Sequence, residues 1–240
     1  MRCVVLSVLV ALLYAPAAFG AFGDVVSSFP VPAKTGHRGL AWDGSYLWFA
    51  GNPYNYIIST TTLGSIISSF KTRESLPSEI RGLTFDGEYL WYSAPLPMAG
   101  YCYRRLTTTG SEVAVFGAGY GDPGLAWEPP RYLWIGPFKV TTTGSLVASF
   151  KPPFYLGGDL AWYGHYLWTG GGTRYYHQLT TKGSVVASFL IPGGAGAGGT
   201  AFDGNYMWLV AAGNKCVYQI DIDVVGMNPG SMGKIKGLYR

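Results

Sequence analysis

The side chains best suited to acid–base or metal chemistry are few in this sequence and widely spaced. The three histidines are His37, His165 and His177, and neither an HExxH motif nor a CxxC pair accompanies them. Such motifs supply the closely spaced ligand pairs that are typical of many zinc sites. Residues 221–223 read Asp-Ile-Asp, without the glycine turn and distal glutamate of a calcium loop, and the chain has no Gly-x-Ser-x-Gly nucleophile elbow. The sequence therefore predicts neither a metal site nor a cofactor, and it indicates no catalytic residue.

The fold that would position any site is indicated by an internal repeat, a sequence motif called here the repeated phrase. The first copy reads GLAWDGSYLW from Gly39, and the others are GLTFDGEYLW from Gly82, GLAWEPPRYLW from Gly124, DLAWYGHYLW from Asp159 and TAFDGNYMW from Thr200. Counted through Leu40, Leu83, Leu125, Leu160 and Ala201, the period is 43, 42, 35 and 41 residues. No helical periodicity fits between the copies, so the pattern excludes an enzyme of the alternating β–α kind.

Each period carries the pattern of four short strands. In the first copy an apolar strand at 40–42 meets Asp43-Gly44, a dipeptide that favours a tight hairpin turn, and residues 46–50 return as the second strand. A third strand at 56–59 and a Thr-Thr-Thr turn lead to a fourth strand at 66–70. Four antiparallel strands in a unit of about 40 residues are typical of a β-propeller blade. The short third period is expected to contract its loop at 135–138.

The fifth copy lacks a fourth-strand phrase, and that phrase stands instead near the start of the chain. Residues 23–29, GDVVSSF, align without a gap with residues 183–189, GSVVASF. The sequence therefore predicts an all-β, five-bladed propeller whose N-terminal strand pairs into the last blade and closes the ring. The expected divisions are a leader at 1–20, the propeller at 21–223 and a tail at 224–240. The blades are expected near 38–80, 81–123, 124–158, 159–199, and 200–223 together with 23–30.

This repeated phrase, with its TTTGS turn and outer-strand SVVASF, resembles secreted bacterial propellers of the NHL, YVTN and glutaminyl-cyclase-like group. The resemblance covers Gly23 to Asp223 and implies the fold, because the group includes enzymes, ligand binders and scaffold proteins. A cyclase of this group implies an acidic residue near the channel, beside the loop after the second strand. Those loops read AGNPYNY, SAPLPMAGYCY, IGPF, TGGGTRYY and AAGNKCVY, and none contains a carboxylate. Catalysis therefore ranks second.

Residues that recur in every copy are best explained by packing. All eight tryptophans lie within the repeated phrase, which predicts contacts between blades rather than a carbohydrate platform. The threonine turns are likewise expected to use their hydroxyls on turn backbone. Cys102 and Cys216 precede the same strand-three phrase in blades two and five, which are not neighbours, so both thiols are predicted to be unpaired.

Binding residues are expected where the copies differ, on the face where each inner strand begins. Polar residues just ahead of successive inner strands would lie near the channel; they are His37, Arg38, Arg81, Asp122 and Asp159. Loop residues expected to line the same mouth are Tyr54, Tyr120, Phe154, Tyr155 and Arg174. An alternative interpretation is a set of solvated loop charges with one or two weak ion pairs.

The chain begins with the pattern of a secretory signal peptide. Arg2 precedes an apolar run at 4–13, and small residues at 15–20 offer cleavage before Ala18 or Ala21. The run is short for a membrane anchor, and no later stretch is long enough, so no transmembrane segment is expected after cleavage. This pattern predicts a secreted, periplasmic or cell-surface protein. The basic tail at 224–240 is interpreted as a flexible terminus or as a sorting tag.

The composition narrows the class of partner. Charged residues are 12% of the 240 residues, hydrophobic residues are 48%, and the formal charge is +4. The chain is too apolar to be disordered, and no stretch concentrates Lys and Arg for contacts with nucleic-acid phosphates. The leading prediction is a secreted, monomeric, non-catalytic propeller that binds a protein, peptide or glycan on its channel face. The alternatives are a glutaminyl-cyclase-like enzyme and a structural envelope or matrix component.

Overall fold

The chain folds as five four-stranded antiparallel sheets arranged in a ring. The computed structural model describes residues 22–32, 38–51, 55–73, 80–96, 100–120, 124–156, 158–170, 173–194 and 196–222. The predicted fold class is confirmed. The expected leader at 1–20 and tail at 224–240 lie outside the described residues. Within the described residues, no helix is long and apolar enough to span a membrane.

Each blade has an inner, a second, a third and an outer strand, and these occupy equivalent positions in the five blades. The inner strands are β2 (Gly39–Trp42), β6 (Leu83–Phe85), β10 (Leu125–Glu128), β14 (Leu160–Tyr163) and β18 (Ala197–Phe202). The second strands are β3 (Leu47–Gly51), β7 (Leu90–Leu96), β11 (Tyr132–Ile135), β15 (Tyr166–Thr169) and β19 (Met207–Ala211). The third strands are β4 (Tyr56–Thr60), β8 (Gly100–Leu106), β12 (Phe138–Thr141), β16 (Tyr175–Leu179) and β20 (Cys216–Ile220). The outer strands are β1 (Val25–Pro30), β5 (Ile66–Lys71), β9 (Glu112–Ala118), β13 (Leu146–Ser149) and β17 (Val185–Leu190), and a 3-10 turn spans Pro192–Gly194.

The ring is closed, and the chain's first strand completes its last blade. Each inner strand contacts the next, and β18 returns to contact β2. Strand β1 pairs antiparallel with β20, with Phe29 opposite Val217. The Gly23 N–H donates to the Asp221 carbonyl at 2.8 Å, and the Asp221 N–H donates to the Asp24 carbonyl at 2.8 Å. Closure by the N-terminal strand is therefore confirmed.

The blades pack through five seams that the repeated phrase supplies. One apolar cluster lies between each pair of neighbouring blades. The second-strand tryptophans are the largest side chains of these seams, and all are at most 3% exposed; they are Trp48, Trp91, Trp134, Trp168 and Trp208. The expected packing role of the tryptophans is confirmed for this set. In the fifth copy the residue equivalent to Leu40 is Thr200 and not Ala201, because Thr200 pairs with Leu209 of the second strand as Leu40 pairs with Phe49. The sequence count therefore placed the fifth copy one residue too late.

In four of the five blades, an acidic residue at the end of the inner strand accepts a hydrogen bond from the second-strand tryptophan. The indole Nε1–H of Trp91 donates to Asp86 Oδ2 at 2.7 Å, and matching bonds join Trp48 to Asp43, Trp134 to Glu128 and Trp208 to Asp203. In blade four the acid is replaced by Tyr163, whose ring stacks on Phe202. Within the part of the chain that the structure describes, the buried indole N–H of Trp168 consequently has no hydrogen-bond partner.

This difference predicts that a Trp→Phe substitution lowers the free energy of unfolding by different amounts in blades two and four. Trp91→Phe and Trp168→Phe remove the same atoms from sites that are both fully buried. Trp91→Phe also removes a hydrogen bond to a carboxylate, worth about 1.5–3 kcal/mol. We expect Trp91→Phe to lower the free energy of unfolding by about that much more than Trp168→Phe does, as measured by denaturant unfolding. Equal losses in the two variants would contradict the assignment of the indole–carboxylate bond.

Neighbouring blades also interlock through a glycine and a phenylalanine. The glycine of each turn into an outer strand has positive φ, between 85° and 93°, and lies against the outer-strand phenylalanine of the preceding blade. The five pairs are Gly23–Phe189, Gly64–Phe29, Gly110–Phe70, Gly144–Phe116 and Gly183–Phe150. Gly23 and Phe29 take part at equivalent positions, so the N-terminal segment substitutes for a complete turn and outer strand. The predicted role of the threonines is confirmed as well, since Thr107 Oγ1 accepts the Ser111 N–H at 3.0 Å.

The outer edge of each blade carries a β-bulge. In β17, Val185 pairs with Leu179 and Ala187 pairs with Gln178, which leaves Val186 as the extra residue. The same irregularity recurs in β1, β5, β9 and β13. Bulges disrupt the regular ladder of an edge strand and so hinder pairing with another chain. The predicted loop contraction in blade three is confirmed by the pairing of Ile135 with Phe138. Cys102 and Cys216 are not joined by a disulfide bond, as predicted.

Candidate functional site

The face where the inner strands begin, called here the upper face, is where the sequence placed its candidate residues. Of these, His37, Tyr54 and Asp122 lie outside the described residues. The structure describes the others and places them in three different environments; they are Arg38, Arg81, Tyr120, Phe154, Tyr155, Asp159 and Arg174.

Two arginines and one tyrosine stand apart from one another around the ring. Arg38 is exposed, immediately before β2. Arg81 is half-buried ahead of β6, and its backbone N–H donates to the Ser93 carbonyl at 3.0 Å. Tyr120 lies in the seam between blades two and three, where its ring stacks on Phe138 with centroids 4.9 Å apart. The Tyr120 hydroxyl donates to the Gly144 carbonyl at 3.4 Å. Its ring therefore contributes to packing between blades.

Asp159 turns into the upper end of the channel and is 2% exposed. Its Oδ1 accepts the backbone N–H groups of Leu160 at 3.0 Å and Leu125 at 3.2 Å. Its Oδ2 accepts the N–H of Leu40 at 3.2 Å, and the N–H of Leu83 also bonds the carboxyl. Burial raises the pKa of Asp159 well above its ordinary value, while these four N–H donors act in the opposite direction. The side chain therefore ties four blades together rather than facing an open mouth.

Below Asp159 the channel is narrow. It contains a partly open cavity of about 60 Å³, lined by residues of all five inner strands. This volume is enough for a few water molecules and far below the roughly 300–1,000 Å³ of a ligand pocket. The part of the channel that the described residues line is therefore too small for a ligand of ordinary size.

An aromatic patch lies on the upper face where blades three and four meet. We call it the blade-3/4 patch and define it as Phe154, Tyr155, Tyr175, His177 and Leu190. Tyr155 is 74% exposed, Tyr175 50% and Leu190 57%, and Leu190 lies directly across from Tyr175 in the β16–β17 pair. The rings of Phe154 and His177 have centroids 4.4 Å apart. Phe154 is held by the apolar seam between blades three and four, so the patch stands on a packed base.

Polar groups surround this patch. His177 Nδ1 lies 2.7 Å from Ser188 Oγ, and His177 Nε2 lies 3.3 Å from Thr173 Oγ1. Partial burial lowers the pKa of His177, which favours the neutral imidazole at neutral pH. A neutral imidazole has one N–H donor and one acceptor nitrogen, so the two hydroxyls take opposite roles toward it. The exposed Arg174 adds a cation beside Tyr175.

The sequence named Phe154, Tyr155 and Arg174 for this face but missed Tyr175, His177 and Leu190. A signal for them existed, because His177 and Tyr175 alternate along β16 on one side of the strand. What the sequence did not show was that the Phe154 ring, from the preceding connection, covers that side of the blade. The structure thus joins the connection that carries Phe154 and Tyr155 to the strand that follows Arg174, and it places Arg38, Arg81 and Tyr120 elsewhere on the ring.

No protein-family model matches the chain, and no curated protein matches it. Among solved structures, a glutaminyl cyclase from Myxococcus xanthus matches with a TM-score of 0.68 and 12% identity, covering 85% of this chain and 98% of that one. Regucalcin from Agrobacterium tumefaciens, a calcium-binding protein, matches with a TM-score of 0.55 and 12% identity, covering 83% of this chain and 93% of that one. Identities this low show the fold alone. The resemblance that the repeats predicted is thereby confirmed for its architecture: the chain is a five-bladed β-propeller.

Proposed function

We propose that the protein is an exported binding protein that holds a glycan on the blade-3/4 patch. The propeller fold supports a binding or scaffold role, and the narrow channel directs binding to a face of the ring. The observation that carries the proposal is the coincidence of exposed tyrosines with polar groups. Tyr155 and Tyr175 offer ring faces, while the exposed residues Thr173 and Arg174, which precede Tyr175, offer hydrogen-bonding groups.

A sugar ring has the complementary chemistry. One face of a pyranose presents C–H groups that pack on an aromatic ring, and its rim presents hydroxyls that both donate and accept hydrogen bonds. Tyrosines ordered by a rigid base bind with little loss of side-chain freedom, because their rings are already positioned. For Tyr175 this base is the His177 ring, whose centroid lies 6.4 Å from that of Tyr175 and which contacts Phe154 of the seam. A peptide would use the same rings but would bring fewer hydroxyl groups to pair with Thr173 and Arg174.

Binding should depend on the two exposed tyrosines and not on tyrosines in general. We expect Tyr155→Ala and Tyr175→Ala each to weaken retention on insoluble polysaccharides by about tenfold, the loss typical of an interface anchor. Tyr46→Ala is the matched control, because Tyr46 is 36% exposed but lies at the inner hairpin turn on the opposite face. Retention that is unchanged in both patch variants would contradict the site. Failure of the unaltered protein to bind any glycan while it binds a peptide at the patch would contradict the ligand class.

Export is the second component of this proposal and rests on the apolar run at 4–13 and the small residues that follow it. We expect the protein from cells to begin near residue 21 and to be found outside the cytoplasm. N-terminal sequencing of the protein from culture medium and periplasmic extract tests this. An intact N-terminus in the cytoplasmic fraction would contradict it.

The alternative is an enzyme resembling glutaminyl cyclases, which requires a carboxylate able to act at the channel. Among the described residues, Asp159 is the acidic side chain at that end of the channel, but its oxygens accept backbone N–H groups from four blades. We therefore expect no turnover of peptides with N-terminal glutamine by the purified, folded protein. Turnover that Asp159→Asn abolishes would favour the enzyme instead.

A further inference from the structure

Blade four differs from the other blades at the residue that starts the repeated phrase. The phrase begins with glycine at Gly39, Gly82 and Gly124, and the fifth inner strand has Gly199 at the same position, whereas the fourth has Asp159. A glycine at this point leaves the upper end of the channel without a side chain. The single exchange in blade four therefore places one carboxyl group where the five inner strands converge.

The hydrogen bonds to this carboxyl come from equivalent positions in different blades. The donors are the backbone N–H groups of Leu40, Leu83, Leu125 and Leu160, which lie in blades one to four. The fifth blade has Thr200 at this position, and its hydroxyl donates to the Trp208 carbonyl at 3.2 Å. Four N–H dipoles from separate strands thus point at one group.

Converging backbone N–H groups form a recurrent site for anions, because each carries a partial positive charge and none requires a charged side chain. Tyr176, which is buried in the same blade, interacts electrostatically with Asp159. Leu40 and Leu160 also line the cavity of about 60 Å³ below, so space for a small molecule adjoins the donors.

We propose that the upper end of the channel is a carboxylate-binding site, built from backbone N–H groups of the first four blades, with Asp159 as its built-in ligand. The chain occupies this site itself, which closes the channel and couples blades that lie far apart in sequence. Without the Asp159 side chain, the same donors would bind a small free carboxylate such as formate. This site is separate from the blade-3/4 patch and does not depend on glycan binding.

The experiment is chemical rescue of Asp159→Ala. We expect this variant to unfold at a lower temperature than the unaltered protein, because it leaves buried N–H groups without an acceptor. Sodium formate should raise its unfolding temperature saturably, whereas sodium chloride at equal ionic strength should raise it less. Formate should not stabilise the unaltered protein beyond the effect of chloride. A variant as stable as the unaltered protein, or one that formate and chloride stabilise equally, would overturn the proposal.

A measurement on the unaltered protein covers the case in which Asp159→Ala does not fold. In NMR titrations, the carboxyl carbon of Asp159 and the amide protons of Leu40, Leu83, Leu125 and Leu160 should shift with one shared midpoint. Leucine amides that do not follow Asp159 would overturn the proposal.

Discussion

Removal of residues 21–30 is expected to produce a protein that unfolds at a much lower temperature or aggregates. The deletion removes β1 and exposes the edge of β20. It also removes Phe29 from the seam between blades five and one, where its ring centroid lies 6.4 Å from that of Phe49 and 6.2 Å from that of Trp208. Loss of one buried phenylalanine side chain costs about 3–5 kcal/mol, which is a large part of the usual stability of a domain.

A synthetic peptide of residues 22–32 should restore part of that stability when it is added to the shortened protein. The peptide carries Gly23 and Phe29, which make the two contacts to neighbouring blades, and it should pair with β20 as β1 does. A peptide of the same composition in scrambled order is the control. Thermal unfolding followed by circular dichroism measures both effects. An unchanged melting temperature after the deletion would show that closure by β1 does not stabilise the ring.

The second large effect is expected from a methyl group at Gly110. A Cβ there would lie 2.7 Å from Phe70 Cδ2, so the ring that fills the seam between blades one and two must shift. Overpacking of this kind costs about 1–3 kcal/mol. The positive φ of 92° adds about 1–2 kcal/mol for any residue with a side chain. Gly110→Ala should therefore lower the free energy of unfolding by the sum of both effects.

Gly87→Ala separates the two causes. Gly87 has a similar φ of 101°, but a Cβ at this position meets nothing within 4 Å. Its substitution should cost only the backbone strain, about 1–2 kcal/mol. Denaturant unfolding of the two variants gives the difference. If Gly87→Ala destabilises the protein as much as Gly110→Ala, the glycine–phenylalanine contact does not contribute to the joining of the blades.

Much of the fold follows from local patterns that the sequence repeats. Asp43-Gly44 and the alternating residues around it specify a hairpin, since turn and strand preferences act over a few residues. Because the same pattern recurs five times, each blade could be predicted from its neighbours. Residues 23–29 copy 183–189, and that likeness alone identified the strand that closes the ring. The lack of an indole–carboxylate hydrogen bond in blade four could also be predicted, since Tyr163 stands where the other copies have an acidic residue.

The sites were decided by contacts between segments far apart in the chain. Asp159 and Leu40 are 119 residues apart, and only the closed ring brings the Leu40 N–H to that carboxyl. The sequence predicted that Asp159 lies near the channel, but not that backbone from four blades surrounds it. Tyr120 was expected at the mouth, yet its ring stacks on Phe138 of the next blade. A repeat determines its own strands through short-range preferences, whereas the surroundings of a side chain at a seam or channel depend on which other repeats the ring places beside it.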